Sequence, residues 1–259
     1  MMTERASAEF LGQRKIATRS DHDALVTVVL ITYKGRTSTA RAGTFNAGRC
    51  TVDDFLRVLD SVDILGGTEF GDRKDLYAAA KRAGFGVIRS RLRGGASTPV
   101  FYRRGKVKRR RLLEFVALLR RYIGRGAGPD HNKQKNLVGG VFGFRQARVR
   151  GGRLRRFLRR RVKSSFHVTH FVATQGQHLR HEAADDHIDA INHDLPPTDF
   201  VRLLVGDMNF TPDTDRAARM RRAGWRSNHD ELRVLPTHGP VRAIDMVWLL
   251  LPRGGADRG

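Results

Sequence analysis

The chain has 259 residues and a formal net charge of +23, from 49 Lys+Arg against 26 Asp+Glu. That length buries a core without staples. The single cysteine, Cys50, excludes an intramolecular disulfide and a cysteine-rich zinc site, so a reducing, intracellular (cytoplasmic) setting is expected. The positive field draws polyanions, nucleic acid first, although a run of charge is also what a solvated face looks like.

The opening stretch MMTERASAEFLGQRK has no apolar region of the kind a secretory signal needs. No stretch approaches 18 apolar residues, so neither a membrane span nor a membrane partner is expected. Residues 24–33, ALVTVVLITY, form a β-branched strand. GRTST, at 35–39, turns the chain into a second strand at 41–46, so the two form a hairpin. Residues 51–59 are helical: Thr51 caps, Asp53 and Asp54 sit in the first turn, and Phe55, Val58 and Leu59 share a face. A short strand follows at 62–66, then a helix at 73–83 closed by Gly84. Strands are expected at 85–90 and 99–103, a helix at 112–123, and a loop at 124–135. Strands at 137–144 and 164–173 are joined by a second basic run. A helix at 177–195, a strand at 201–205, a helix at 213–223 ended by Gly224 and a strand at 244–251 complete the chain. The basic connections near 91–97, 103–111 and 145–163 have the composition of surface loops.

The apolar runs stop repeatedly at polar residues. AGTFN ends at Asn46, and GTEFGD passes from a strand to Glu69. SSFHVTHF carries His170, GDMNFTP carries Asp207 and Asn209, and VRAIDMVWLL buries Asp245 in apolar surroundings. SDHDALVTVV opens a strand with Asp21 and His22. Taken singly, each has an ordinary structural explanation, such as an Asx turn or a satisfied strand histidine. Asp245 resists that explanation, because a buried carboxylate needs a partner. Together they place polar side chains at many strand ends, where α/β enzymes hold their chemistry.

This set resembles the endonuclease/exonuclease/phosphatase superfamily, which includes pancreatic deoxyribonuclease, apurinic-site endonucleases, sphingomyelinases and inositol-phosphate phosphatases. TFN, GTEFGD, VTHF, GDMNFTP and AIDMVWL match its motifs in the usual order, over roughly residues 18–251. The family's last element, S-D-H leading into a final strand, does not follow Asp245, where only PRGGADRG remains after the strand. It stands instead at the front, as Ser20-Asp21-His22 and the strand at 24–33. The resemblance therefore implies a circularly permuted α/β fold. Two packed, mostly antiparallel sheets are flanked by helices in a four-layer α/β/β/α sandwich. Residues 1–17 would be a tail or linker, and 18–259 a single domain.

The resemblance also implies roles. Glu69, Asn46 and Asp21 hold Mg²⁺ or Mn²⁺, and Asp207 activates water. Asn209, His170 and His22, the last paired with Asp245, engage the phosphate. The implied activity is metal-dependent phosphodiester hydrolysis by a monomer. The basic runs favour a nuclease acting on DNA, with Arg103, Arg104, Lys106, Arg155, Arg156, Arg159 and Arg160 on the nucleic acid. A phosphatase or phosphodiesterase on a small or lipid phosphate is the alternative, as is a non-catalytic Arg-rich binding protein on the same fold.

Overall fold

The computed structural model describes residues 6–89, 98–115, 137–145, 161–171, 178–193, 195, 198–239 and 242–252, with the backbone alone at 111–115, 178–183 and 193. The β-branched stretch Ala24–Tyr33 (β2) has alternating fates. Val29, Ile31 and Tyr33 point to one core, and Ala24 and Val26 to another. Lys34 and Gly35, both at positive φ, make a tight turn, and β2 pairs antiparallel with Arg36–Asn46 (β3) from Tyr33↔Arg36 to Leu25↔Thr44. The turn is thus shorter than GRTST, because a two-residue loop with both φ positive matches strand twist.

Within the segment expected as a tail or linker at 1–17, Ser7–Ile16 is a strand. Ser7–Ile16 (β1) pairs antiparallel with β2 along its length. All its side chains but Phe10 are exposed or half-buried and three are charged, as an edge strand requires. That polarity is why the residues do not read as a strand. Val52–Ser61 (α1) is capped by Thr51 in a capping box with Asp54. Ile64–Thr68 (β4) runs parallel to β3, and Lys74–Arg82 (α2) ends before Gly84, at φ 81°. Phe85–Ile88 (β5) and Val100–Arg103 (β6) complete a sheet ordered β1-β2-β3-β4-β6-β5.

Val107–Phe115 (β7) corrects two expectations at once. The first basic run is largely a strand, and the residues from 112 to 115 are strand rather than helix. Its antiparallel partner is the apolar Leu137–Arg145 (β8), and this pairing overrides the helical spacing. The rest of that expected helix and the loop at 124–135 lie outside the described residues. Arg161–His170 (β9), His178–His193 (α3), Arg202–Asp207 (β10), Asp215–Arg222 (α4), Trp225–Ser227 (β11), the short Asn228–Glu231 (α5) and Asp245–Leu250 (β12) follow. The second sheet is ordered β11-β12-β10-β9-β8-β7. Among the described strands only the β3–β4 and β9–β10 pairs are parallel.

Val29, Ile31, Ala42, Phe142, Phe166, Val168 and Val205 pack between the sheets. Phe45, Phe55, Phe70 and Phe101 fill the outer side of the first sheet with α1 and α2. Ile188, Leu204, Met220 and Trp248 fill the outer side of the second with α3 and α4. The layers are α/β/β/α. Gly66 on β4 sets their closeness, since a Cβ there would overlap Val205 and Val168 of the opposite sheet.

Candidate active site

One edge of the sandwich collects the polar strand ends. β3 ends at Asn46, β4 at Thr68 just before Glu69, β9 at His170 and β10 at Asp207. β12 begins at Asp245 and β2 directly follows the loop carrying His22. Register does much of the placing: Asp207 is paired with His170 on one side and Asp245 on the other. Gly206 allows that closeness at φ 150°, where a Cβ would overlap the Thr169 carbonyl oxygen.

The loop before β2 is shaped by its own side chains. Thr18 Oγ1 donates to the His22 carbonyl at 2.9 Å and accepts from Ser20 N. Asp23 Oδ1 accepts from Thr18 N, and Lys15 pairs with the other Asp23 oxygen at 2.9 Å. The Asp23 amide donates to Thr237 O at 2.7 Å. These bonds deliver His22, only 5% exposed, to the edge.

Asp207 is the hub. Its Oδ1 accepts from the Asn209 amide at 2.9 Å. Its Oδ2 lies 3.4 Å from Asn46 Nδ2, 3.6 Å from His170 Nε2 and 3.7 Å from His22 Nε2. The other nitrogen of His22, Nδ1, lies 2.8 Å from Asp245 Oδ2. Burial alone would lower the His22 pKa. The Asp245 hydrogen bond and the charges of Asp245, Asp207 and Asp21 outweigh it and raise the value to about 9. Asp207 is raised as well: burial first, then the Asp245 charge, pushes its pKa up to about 7.

Glu69 Oε1 lies 3.9 Å from His170 Nε2, and its side chain is 44% exposed. Glu69 and Asn209 both hold positive φ, 58° and 50°, a costly conformation that concentrates at functional sites. Asn209 is fixed by Nδ2 donating to the Phe171 carbonyl at 2.9 Å. Asn46 Oδ1 accepts from the Gly48 amide at 3.0 Å. Where Gly48 would carry a Cβ, Asp21 Oδ1 is 2.9 Å away and Asn46 Oδ1 3.5 Å. Two oxygen donors therefore face one small space that a side chain would fill.

The structure thus gathers Asp21, His22, Asn46, Glu69, His170, Asp207, Asn209 and Asp245 at one edge. It adds His238, which the sequence reading missed. The His238 ring lies 4.4 Å from that of His22, and its ligand atoms share a cluster with Asp21 and His22. The available signal was a histidine in LPTHGP, a proline-bracketed turn just before the Asp245 strand.

The described basic residues of the first run fall elsewhere. Arg103 ends β6, which runs antiparallel to β4, so it lies at the opposite edge of the sheet. Its guanidinium donates to the Leu59 and Val62 carbonyls at 2.7 and 3.3 Å and covers the Phe85 ring. It caps the C-terminus of α1, whose last turn has no basic residue of its own. Lys106 pairs with Asp63 at 3.2 Å. Arg104 is exposed in the same remote turn. These three are therefore not placed at the site. Arg155, Arg156, Arg159 and Arg160 lie outside the described residues.

No protein-family model and no curated protein matches the chain. Solved structures do. An endonuclease/exonuclease/phosphatase protein from Bacteroides vulgatus superposes with a TM-score of 0.54 at 16% identity, over 82% of this chain and 87% of that one. A mannosyl-6-phosphatase from Bacteroides thetaiotaomicron gives 0.54 at 14%, over 81% and 84%. TDP2 from D. rerio, in complex with a single-strand DNA product, gives 0.51 at 14%, over 82% and 84%. Identities so low speak to architecture alone, and the architecture is unambiguous: this chain has the endonuclease/exonuclease/phosphatase fold.

Proposed function

We infer that this protein is a divalent-cation-dependent phosphodiesterase whose substrate is nucleic acid, DNA first. One observation carries the reading. Three side-chain nitrogens, from Asn46, His170 and His22, surround a single buried carboxylate oxygen of Asp207 at 3.4–3.7 Å. Hydrolysis of a phosphodiester needs a base for water and donors for the phosphoryl oxygens, and this arrangement holds both.

Asp21 Oδ1, Asn46 Oδ1 and the Glu69 carboxylate are hard oxygen donors, which suit Mg²⁺ or Mn²⁺. The first two face the gap beside Gly48. Bound by these residues, such a cation would neutralise charge on the phosphoryl group. Asp207 takes a proton from the attacking water at Oδ2. His22 stays protonated because Nδ1–H donates to Asp245, so Nε2–H is left to donate to a phosphoryl oxygen. Asn209 gives one amide N–H to Phe171 and keeps the second for the same purpose. His170 donates to the leaving oxygen. The net charge of +23 favours a polyanionic substrate, and one similar structure is a complex with single-strand DNA. A small phosphate ester is the second reading, favoured by the similar mannosyl-6-phosphatase.

In this reading the order of elements is circularly permuted. The Ser20-Asp21-His22 loop and β2 occupy the place of the family's last motif and strand. The hairpin of β2 with β3 and the contact of His22 with Asp245 support it.

The test is hydrolysis of bis(p-nitrophenyl) phosphate and nicking of plasmid DNA, with Mg²⁺ and with EDTA. Both activities should need the cation. Glu69→Gln should lower them at least about 100-fold, since a lost metal contact removes several kcal/mol of transition-state stabilisation, with the urea midpoint retained. Full activity in EDTA, or in Glu69→Gln, overturns the assignment. Turnover of sugar phosphates with no nicking selects the second reading.

A further inference from the structure

The outer face of the second sheet carries cations in register, away from the site. Strand pairing aligns Lys108 of β7 with Gly143 of β8, and Gly143 with Lys163 of β9. One row further along, Arg145 pairs with Arg161, and the Arg145 amide donates to the Lys106 carbonyl at 2.9 Å. Residues two apart on a strand share a face, so the two rows stand on one surface. It is the outward one: Val162, Phe166, Phe142 and Phe144, on the opposite parity, fill the core between the sheets. Arg161 stitches the rows, donating from Nη1 to the Lys106 and Gly143 carbonyls. A Cβ on Gly143 would lie 3.5 Å from Arg110 Nε, so Arg110 leans over the same patch.

Lys108, Arg110, Arg145 and Lys163 are exposed, and among the described residues none pairs with a carboxylate. Like charges on directly opposed strand positions destabilise a sheet. The fold bears that cost on a face with no catalytic role. β9 carries the chain from Lys163 to His170, about 23 Å at the rise of an extended strand, so the patch is separate from the active-site edge. Among the described residues the exposed large apolar side chains, Leu11, Val234 and Leu251, belong to other parts of the surface. A membrane-surface site pairs its cations with apolar residues that insert, and among the described residues this face exposes none.

We propose that the outer face of β7, β8 and β9 is a second binding surface, an exosite for the sugar-phosphate backbone of nucleic acid, held apart from the hydrolytic site. The choice of nucleic acid as occupant rests on the substrate reading above. The surface itself rests on the cation rows. Contacts of this kind go to phosphates, so they add affinity without sequence preference. A strand too short to span the distance from the patch to the site cannot use both.

The experiment is fluorescence anisotropy of a labelled 30-base-pair duplex in EDTA, over 50–300 mM NaCl. The variant K108E/R145E/K163E should bind at least about tenfold more weakly at 100 mM. Its slope of log K against log salt should be shallower by about 2–3, as three lost phosphate contacts require. The variant K74E/K81E/R82E, with the same charge change on α2, should lose clearly less. K108Q/K163Q, which introduces no repulsion, should flatten the slope by about 1–2 and serves if the triple variant does not fold. An unchanged slope in K108Q/K163Q, or equal losses in the face and α2 variants, overturns the proposal. So does binding to phosphatidylserine vesicles without binding to duplex. Binding in EDTA needs no turnover. A wild-type protein that binds through this face but hydrolyses nothing would therefore sink the catalytic reading and leave the exosite standing.

Discussion

Nδ1 of His22 lies 2.8 Å from Oδ2 of Asp245, across 223 residues of sequence. Each answers a need of the other. Asp245 is completely buried in β12, where a lone carboxylate is costly. His22 is nearly buried and keeps its proton only because a carboxylate faces it.

That contact sets the pH behaviour. In the proposed mechanism Asp207 loses its proton to accept one from water and His22 keeps its own, so the rate should rise through about pH 7. His22 must keep its proton, so the rate should fall above about pH 9. A bell-shaped kcat/KM for bis(p-nitrophenyl) phosphate is expected between these limits. Asp245→Asn removes the charge that raises both values, so both limbs should move to lower pH. Limbs that stay in place would show that Asp245 does not tune the pair.

Stability in EDTA should follow the same groups. The folded values of His22 and Asp207 both lie above their ordinary values of 6.5 and 3.8. The folded chain therefore holds these protons more tightly than the unfolded one. The His22 contribution is complete below pH 6.5 and lost as pH rises through about 9. The Asp207 contribution is complete below pH 3.8 and lost through about 7. Urea midpoints of the wild type should fall towards those of His22→Asn between pH 6.5 and 9. Parallel curves across that window would contradict the shift.

Gly206 and Gly71 make a graded test of the edge. Both hold positive φ, but a Cβ on Gly206 would overlap the Thr169 carbonyl, while one on Gly71 meets open space. Gly206→Ala should cost about 3 kcal/mol or more, from strain and overlap together. Gly71→Ala should cost about 1 kcal/mol, from backbone strain alone. Equal urea midpoints for the two variants would refute the close approach of β9 and β10.

Arg103 tests the corrected role of the first basic run. Its guanidinium serves the Leu59 and Val62 carbonyls at the end of α1. Arg103→Ala should cost about 1–2 kcal/mol, as expected for charge-assisted bonds that are partly exposed. Duplex affinity should stay within about twofold. A large loss of affinity with unchanged stability would return Arg103 to the nucleic-acid surface.

The proposed circular permutation has its own test. Residues 1–34 should fold and function when moved behind Gly259 through a flexible linker of about 20 Gly and Ser residues. β1 has to travel with β2, because it is the edge partner of β2 along its whole length. Deleting residues 1–34 outright should abolish folding, since β2 and β3 form one of the most extensive pairings of the sheet. A stable, active protein without them would refute the reading.

Much of this architecture was legible in the residues themselves. The β-branched run of β2, the Thr51 cap with Asp54 at the third helical position, and the glycines after α2 and α4 act through local geometry, which short sequence windows carry. The polar ends at Asn46, Glu69, His170, Asp207 and Asp245 were legible because each interrupts an apolar run at a cost that needs a reason. Other features belong to pairing alone. β1 is polar and β7 is basic, and neither has the alternation of a half-buried strand. Each is a strand because a neighbour, β2 or β8, supplies its hydrogen bonds. The direction of β6 against β4 puts Arg103 on the far edge, and no composition of the run 103–111 could decide that. His238 reaches His22 only because the Thr237–His238 turn bridges to the loop before β2. Sequence determined which residues were out of place in an apolar strand. Tertiary pairing alone decided which of them meet, because a hydrogen-bonded register acts between segments that the chain keeps far apart.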